Sequence, residues 1–171
     1  MKRMTICLVI GIALTMSQLA IAADAQRQAE VAERGKDIMP FKREATTHIF
    51  IKTAEGGTQR VVAKTVTEAG QIKFVRDHLQ EIKQQFLRGD FSGPSHIHGP
   101  HMPGLDELRS AKPIQIAIDY RDVDGGAELV YRTSEPAMVA ALHKWFDAQL
   151  SDHGSDAMEG HRHYRGDMPQ Q

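Results

Sequence analysis

Two glycine pairs, Gly56-Gly57 and Gly125-Gly126, constrain this chain more than any other feature of it. Each pair sits between two runs rich in β-branched and aromatic residues, and each second run leads into a helical pattern. His48-Ile49-Phe50-Ile51-Lys52-Thr53 and Gln59-Arg60-Val61-Val62-Ala63-Lys64 flank residues 54–58, which reads as a β-hairpin. From Thr67-Glu68 onward, Ile72, Val75, Leu79, Ile82 and Phe86 fall at steps of three and four, one apolar stripe of a helix. Arg88-Gly89-Asp90 stops it, with Gly89 suited to the C-cap.

The second half repeats the plan. Residues 114–120 alternate, residues 122–126 turn, and residues 128–133 return. Ser134-Glu135-Pro136 then opens a helix, with Ser134 as N-cap and Pro136 in the first turn. That helix carries Val139, Leu142, Trp145, Phe146 and Leu150 and ends near His153-Gly154. The pattern predicts an α+β fold of duplicated ββα units, a four-stranded antiparallel sheet with both helices on one face. The domain spans residues 46–154. Residues 23–45 carry too few apolar positions to specify a helix and form a polar lead-in, and residues 155–171 are expected to be a disordered tail.

The first 22 residues have a different character. Met1-Lys2-Arg3 is basic, Thr5 to Leu14 is apolar apart from Gly11, and Ala20-Ile21-Ala22 is a small-x-small cleavage pattern. This is the layout of a secretory signal peptide, too short in its apolar part for the ~20 residues of a membrane span. The expected setting is periplasmic or secreted. Removal of residues 1–22 leaves 149 residues without the chain's one cysteine, Cys7, so no disulfide or thiolate chemistry is expected of the domain. Such a domain stands on its hydrophobic core alone. The 19 Lys and Arg against 22 Asp and Glu that remain give no basic surplus, which argues against nucleic acid as a partner.

Chemistry concentrates in the run His96-Ile97-His98-Gly99-Pro100-His101-Met102, read as a loop. Imidazole suits Zn, Cu, Fe and Ni, and thioether selects Cu(I). On an extended backbone His96 and His98 point to one side, and Gly99-Pro100 can turn His101 back toward them. Copper, or zinc, is the cofactor these residues suggest, with the remaining ligands from another element. His143 has Asp147 one turn later on the last helix, and either metal sharing or a core hydrogen bond fits it. His153, ten residues further, is about 15 Å along the axis and beside the helix C-terminal dipole. His48 opens the first strand, and His78 reads as structural or solvent-facing. The tail adds Met158, His161, His163 and Met168, a set suited only to weak binding because ordering the segment costs free energy. No Gly-x-Ser-x-Gly elbow, phosphate loop or dinucleotide fingerprint is present, so an enzyme is the less favoured reading.

Met39-Pro40-Phe41, Thr47-His48-Ile49-Phe50, Gly89-Asp90-Phe91-Ser92, Ile97-His98-Gly99, Met102-Pro103-Gly104-Leu105 and the run from Trp145 to Gly154 span most of the chain after residue 22. In these the chain resembles a group of small, largely uncharacterised exported bacterial proteins, some of which carry the label aspartate carbamoyltransferase. That activity does not transfer. The chain is too short for that enzyme's two domains and has no Ser-Thr-Arg-Thr carbamoyl-phosphate loop. The resemblance adds weight to His48, His98, His143 and His153.

Two functions follow as expectations. One is a periplasmic metal-binding protein, for copper above other metals, in storage, tolerance or delivery, using His48, His96, His98, His101, Met102, His143 and His153, with a metal ion and another periplasmic protein as partners. The other is a non-enzymatic module that binds a peptide or small ligand through the sheet or the central segment.

Overall fold

The computed structural model describes residues 24–161. Helix α1 covers residues 24–35. Strands β1 (Thr46–Thr53) and β2 (Gly56–Ala63) form the first hairpin, and α2 (Ala69–Leu87) follows. Two short helices, α3 (Ser92–His98) and α4 (Leu105–Arg109), fill the middle of the chain. Strands β3 (Ala117–Val123) and β4 (Gly126–Arg132) form the second hairpin, then come α5 (Pro136–His153) and a short strand, β5 (Ala157–Glu159). The class is α+β, as the alternation of patterns predicts.

The sheet corrects the prediction. It has five strands, not four, in the order β3-β4-β2-β1-β5, and it is mixed, because β5 runs parallel to β1. The two hairpins join through antiparallel pairing of β2 with β4, from Gly56 opposite Arg132 to Val62 opposite Gly126. The fold does not confirm a duplication: α3 and α4 follow the first helix, and a parallel strand follows the second. Residues 157–159 enter the sheet instead of lying in a disordered tail, because the turn at Gly154 aims the chain back along β1.

One sheet face carries His48, Phe50, Gln59, Val61, Leu129 and Tyr131, all buried. Helices α2 and α5 both pack on the strands from this side, and their stripes supply Val75, Leu79, Phe86, Leu142, Trp145 and Phe146 to a single core. The approach is close enough to need glycine. A Cβ on Gly57 would fall 2.4 Å from the Phe146 ring, and one on Gly104 would fall 2.2 Å from the Ala141 carbonyl of α5. The first pair lies in β2 just after the turn at residues 54–55, and Gly57 there serves packing.

Two elements depart from expectation in ways that matter for the site. Helix α1 is anchored although its sequence is mostly polar: Val31 is fully buried, and Arg27 reaches Asp152 of α5. The His-rich run is helical as far as His98. Its apolar Ile97 is buried, as are Pro94 and His98.

Candidate ligand site

The helical form of α3 separates the histidines that an extended backbone would align. Two residues on a helix differ by roughly 200° around the axis, so His98 turns inward while His96 turns out. The His98 side chain is 2% exposed; that of His96 is 48% exposed and meets Asp37 at 3.0 Å. His101 stands in solvent, its side chain 90% exposed, and Met102 is buried in the core. The metal loop of His96, His98, His101 and Met102 is thus not assembled.

His143 and Asp147 also part company. His143 Nε2–H donates to the carbonyl oxygens of Thr53 (3.0 Å) and Gly56 (2.9 Å), closing the first hairpin turn, while Asp147 pairs with Lys52. Of the tail residues named from the sequence, Met158 lies on β5 and is half exposed, and His161 is exposed; His163 and Met168 lie outside the described residues, as does the signal-peptide segment.

What the fold does bring together is His48 from β1, His98 from α3 and His153 from the last turn of α5. The rings of His48 and His153 are stacked, 4.6 Å between centroids and 9° between planes. The His98 ring stands edge-on to His153 at 5.2 Å. A fourth imidazole, His78 of α2, lies edge-on to Phe41, which in turn contacts His48. All four are buried, and all four line one cavity of about 500 Å³ between the sheet, α2, α3 and α5. Its apolar walls include Met39, Phe41, Ile82, Phe86 and Trp145, and its polar lining adds Gln59 and Gln149. The volume and the mixed lining are those of small-molecule sites.

The ionisation of these groups follows from burial. Burial pushes His48 and His78 down to about 4, and for His48 the neighbouring His78 adds to the effect. His153 falls well below the ordinary histidine value, first through burial and then through the proximity of His48 and His98. These three imidazoles are therefore neutral at pH 7. Burial alone would raise the Asp152 carboxyl, but hydrogen bonds from His98 and Arg27 outweigh it and leave the group below its usual range.

The outer partners fix which ring nitrogen carries the proton. His98 Nδ1–H donates to Asp152 Oδ2 at 2.8 Å, which turns its Nε2 away from the carboxylate. Arg27 holds that carboxylate bidentately, at 2.9 and 2.7 Å, and donates to the His98 carbonyl oxygen at 2.6 Å. His153 Nε2–H donates to Gln149 Oε1 at 3.0 Å, leaving Nδ1 as the lone pair. On the far side, Asp156 is gripped by Arg43 and Lys64, both at 3.0 Å, which pins the turn that follows His153.

Three buried side-chain polar atoms lack a partner among the described residues: His48 Nδ1, His153 Nδ1 and Trp145 Nε1. All belong to residues of this cavity. Leaving such a group unpaired costs about 1–3 kcal/mol, so their coincidence in one cavity marks a place built for something else. Among the described residues, no group of three or more His, Cys, Asp or Glu side chains is arranged to hold a metal ion. Nor is any described helix long and apolar enough to cross a membrane. Comparison with protein-family models, curated proteins and solved structures finds no match.

The sequence did not single out Gln59, Gln149, Asp152 or Arg27, and His78, read as structural or solvent-facing, is buried in the cavity lining. His78 was findable: it lies three residues after Val75 and four before Ile82, on the apolar stripe itself. Arg27 gave no signal, since its partner is 125 residues away.

Proposed function

We propose that this chain is an exported, non-catalytic binding protein whose ligand is a small organic molecule held in the histidine cavity. The carrying observation is the gathering of unpartnered buried nitrogens in that one cavity. The lining adds the carboxylates of Asp37 and Glu81 and contains no Lys or Arg. With His48, His78 and His153 neutral and two carboxylates in the lining, the site offers lone pairs and negative charge, so an uncharged or cationic guest with hydrogen-bond donors suits it, and an anion does not. Apolar walls of Phe41, Phe86 and Trp145 favour an aromatic body. Export rests on the basic, apolar and small-residue layout of the first 22 residues.

The test is titration with phenol, phenethylamine and benzoate, followed through Trp145, the chain's one tryptophan. Saturable binding of phenol or phenethylamine, at least tenfold tighter than benzoate and weakened by His98→Ala and Ile82→Phe, is the expected result. Equal binding of all three, or indifference to both substitutions, would overturn it.

A second reading keeps a metal, moved from the loop to the cavity. It is favoured by the outer hydrogen bonds of His98 to Asp152 and of His153 to Gln149, since an imidazole whose outer N–H is held by an acceptor is how proteins present the other nitrogen to zinc or copper. The stacked His48 and His153 rings would have to turn to converge on one ion. Competition titration with Cu(II) and Zn(II) separates the readings: tight one-to-one binding lost in His98→Ala and His153→Ala favours the metal.

A further inference from the structure

The opposite side of Trp145 and Phe86 faces a second cavity of about 360 Å³. Both residues line both cavities, so they form a shared wall. The second cavity is bounded by the C-terminal end of α2, by α4 and by the segment leading into β3. Its interior is apolar, with Phe91, Leu108, Ile116, Ile118 and Leu142. Its charged lining is of one sign: Arg88, Arg109 and Lys112, with no Asp or Glu. Arg109 is engaged by Asp106 at 2.8 Å. Among the described residues, Arg88 and Lys112 make no ion pair, and both are exposed at the mouth. The first cavity has the reverse character, two carboxylates and no Lys or Arg.

The mouth also displays apolar groups that the core does not use. Leu87 is 45% exposed and Ile114 is 99% exposed. Ile114 is the single non-glycine residue with positive φ among the described residues, at 70°. That conformation is costly for a β-branched side chain, and here it holds an isoleucine wholly in water beside the free cations. An apolar interior, an apolar lip and two unpaired cations at the lip match one kind of molecule, an alkyl chain ending in an anion.

From this we infer that the second cavity binds a free fatty acid of medium chain length, its alkyl chain inside and its carboxylate between Arg88 and Lys112. The volume is near the lower end of the roughly 300–1,000 Å³ of small-molecule sites, which favours a medium over a long chain. Charge selects the head group: two exposed cations attract a carboxylate, gain nothing from an alcohol and repel an ammonium. The site is separate from the histidine cavity and does not depend on what that cavity holds.

The experiment uses the whole chain, with decanoate, decanol and decylammonium below their aggregation concentrations as probes and Trp145 fluorescence and thermal shift as readouts. Decanoate is expected to bind saturably, at least tenfold more tightly than decanol and more weakly as salt rises, with decylammonium weakest. The exposed double substitution Arg88→Gln, Lys112→Gln should abolish the preference for decanoate over decanol while leaving the melting temperature of the free chain unchanged. Ile82→Phe, in the histidine cavity, should leave decanoate binding intact. The inference is overturned if decanoate and decanol bind equally, if nothing saturates, or if Ile82→Phe removes the decanoate signal while the double substitution does not.

Discussion

His48 of β1 and His153 of α5 lie ring on ring, 4.6 Å apart and nearly parallel, in an interior where neither Nδ1 has a partner. Two imidazoles so placed cannot both carry a proton without strong repulsion in a poorly solvated space. The stack is thus a neutral pair by construction, and the buried neutral imidazole of His78 lines the same cavity from α2.

Stability should fall steeply with acid. The folded values of His48 and His78 are near 4, whereas the unfolded chain titrates near 6.5. Between those values the unfolded state binds more protons, so stability drops as pH falls from about 6.5 to 4, by about 3 kcal/mol for each of the two groups. Urea unfolding at intervals across that range measures it. His78→Leu should flatten the slope by about one proton; an unchanged slope would contradict neutral burial of His78.

Asp152→Asn should disturb the site through His98. The substitution removes the charge that Arg27 grips and replaces one of the two oxygens that accept from Arg27 and His98 with a donor. Because Arg27 is 39% exposed, the cost is put at about 2–3 kcal/mol, below that of a fully buried pair. Nitrogen-15 spectra of the imidazoles should show the His98 Nδ1 signal shifting while that of His143 stays in place.

His143→Ala should cost about 1–3 kcal/mol, since two turn carbonyls lose their donor. It should leave ligand and metal binding unchanged. A binding defect in a well-folded His143→Ala chain would return His143 to the candidate ligands.

His96→Ala with His101→Ala should leave copper and zinc affinity unaltered at a cavity site, because His96 is paired with Asp37 at the rim and His101 stands in solvent. A loss as large as that of His98→Ala would mean that the segment rearranges around metal.

Gly104→Ala should destabilise the fold by more than 3 kcal/mol. Its φ is +80°, and the new Cβ would meet the Ala141 carbonyl at 2.2 Å. Thermal unfolding would report it.

The periodic elements were legible in the sequence because each repeats one local rule. The stripe from Val75 to Phe86 and the first hairpin lie where the spacing of apolar residues puts them, whereas the strand read at residues 114–120 lies at Ala117–Val123, with Ile114 outside it. What was not legible depends on distance in the chain. Nothing local tells β5 to lie beside β1, and Arg27 acquires its role only when α1 meets α5. The His-rich run misled for a different reason: Gly99 and Pro100 mark a loop, but the break comes after His98, so the two histidines before it turn to opposite sides. Three of the residues singled out from the sequence, His48, His98 and His153, do meet, though not with the loop residues expected beside them.

The shortest ladder in the sheet lies beside the stacked histidine pair. Three residues of β5 pair with His48, Ile49 and Phe50, and Gly160 adds one hydrogen bond to the Phe50 carbonyl. An edge ladder of that length is the part of a sheet that frays first. His153 sits four residues before its first rung, across a turn held by Asp156. One edge of the strand that carries His48 is therefore covered by the part of the sheet expected to open first, and peeling of that edge would uncover the stacked pair from the side opposite β2.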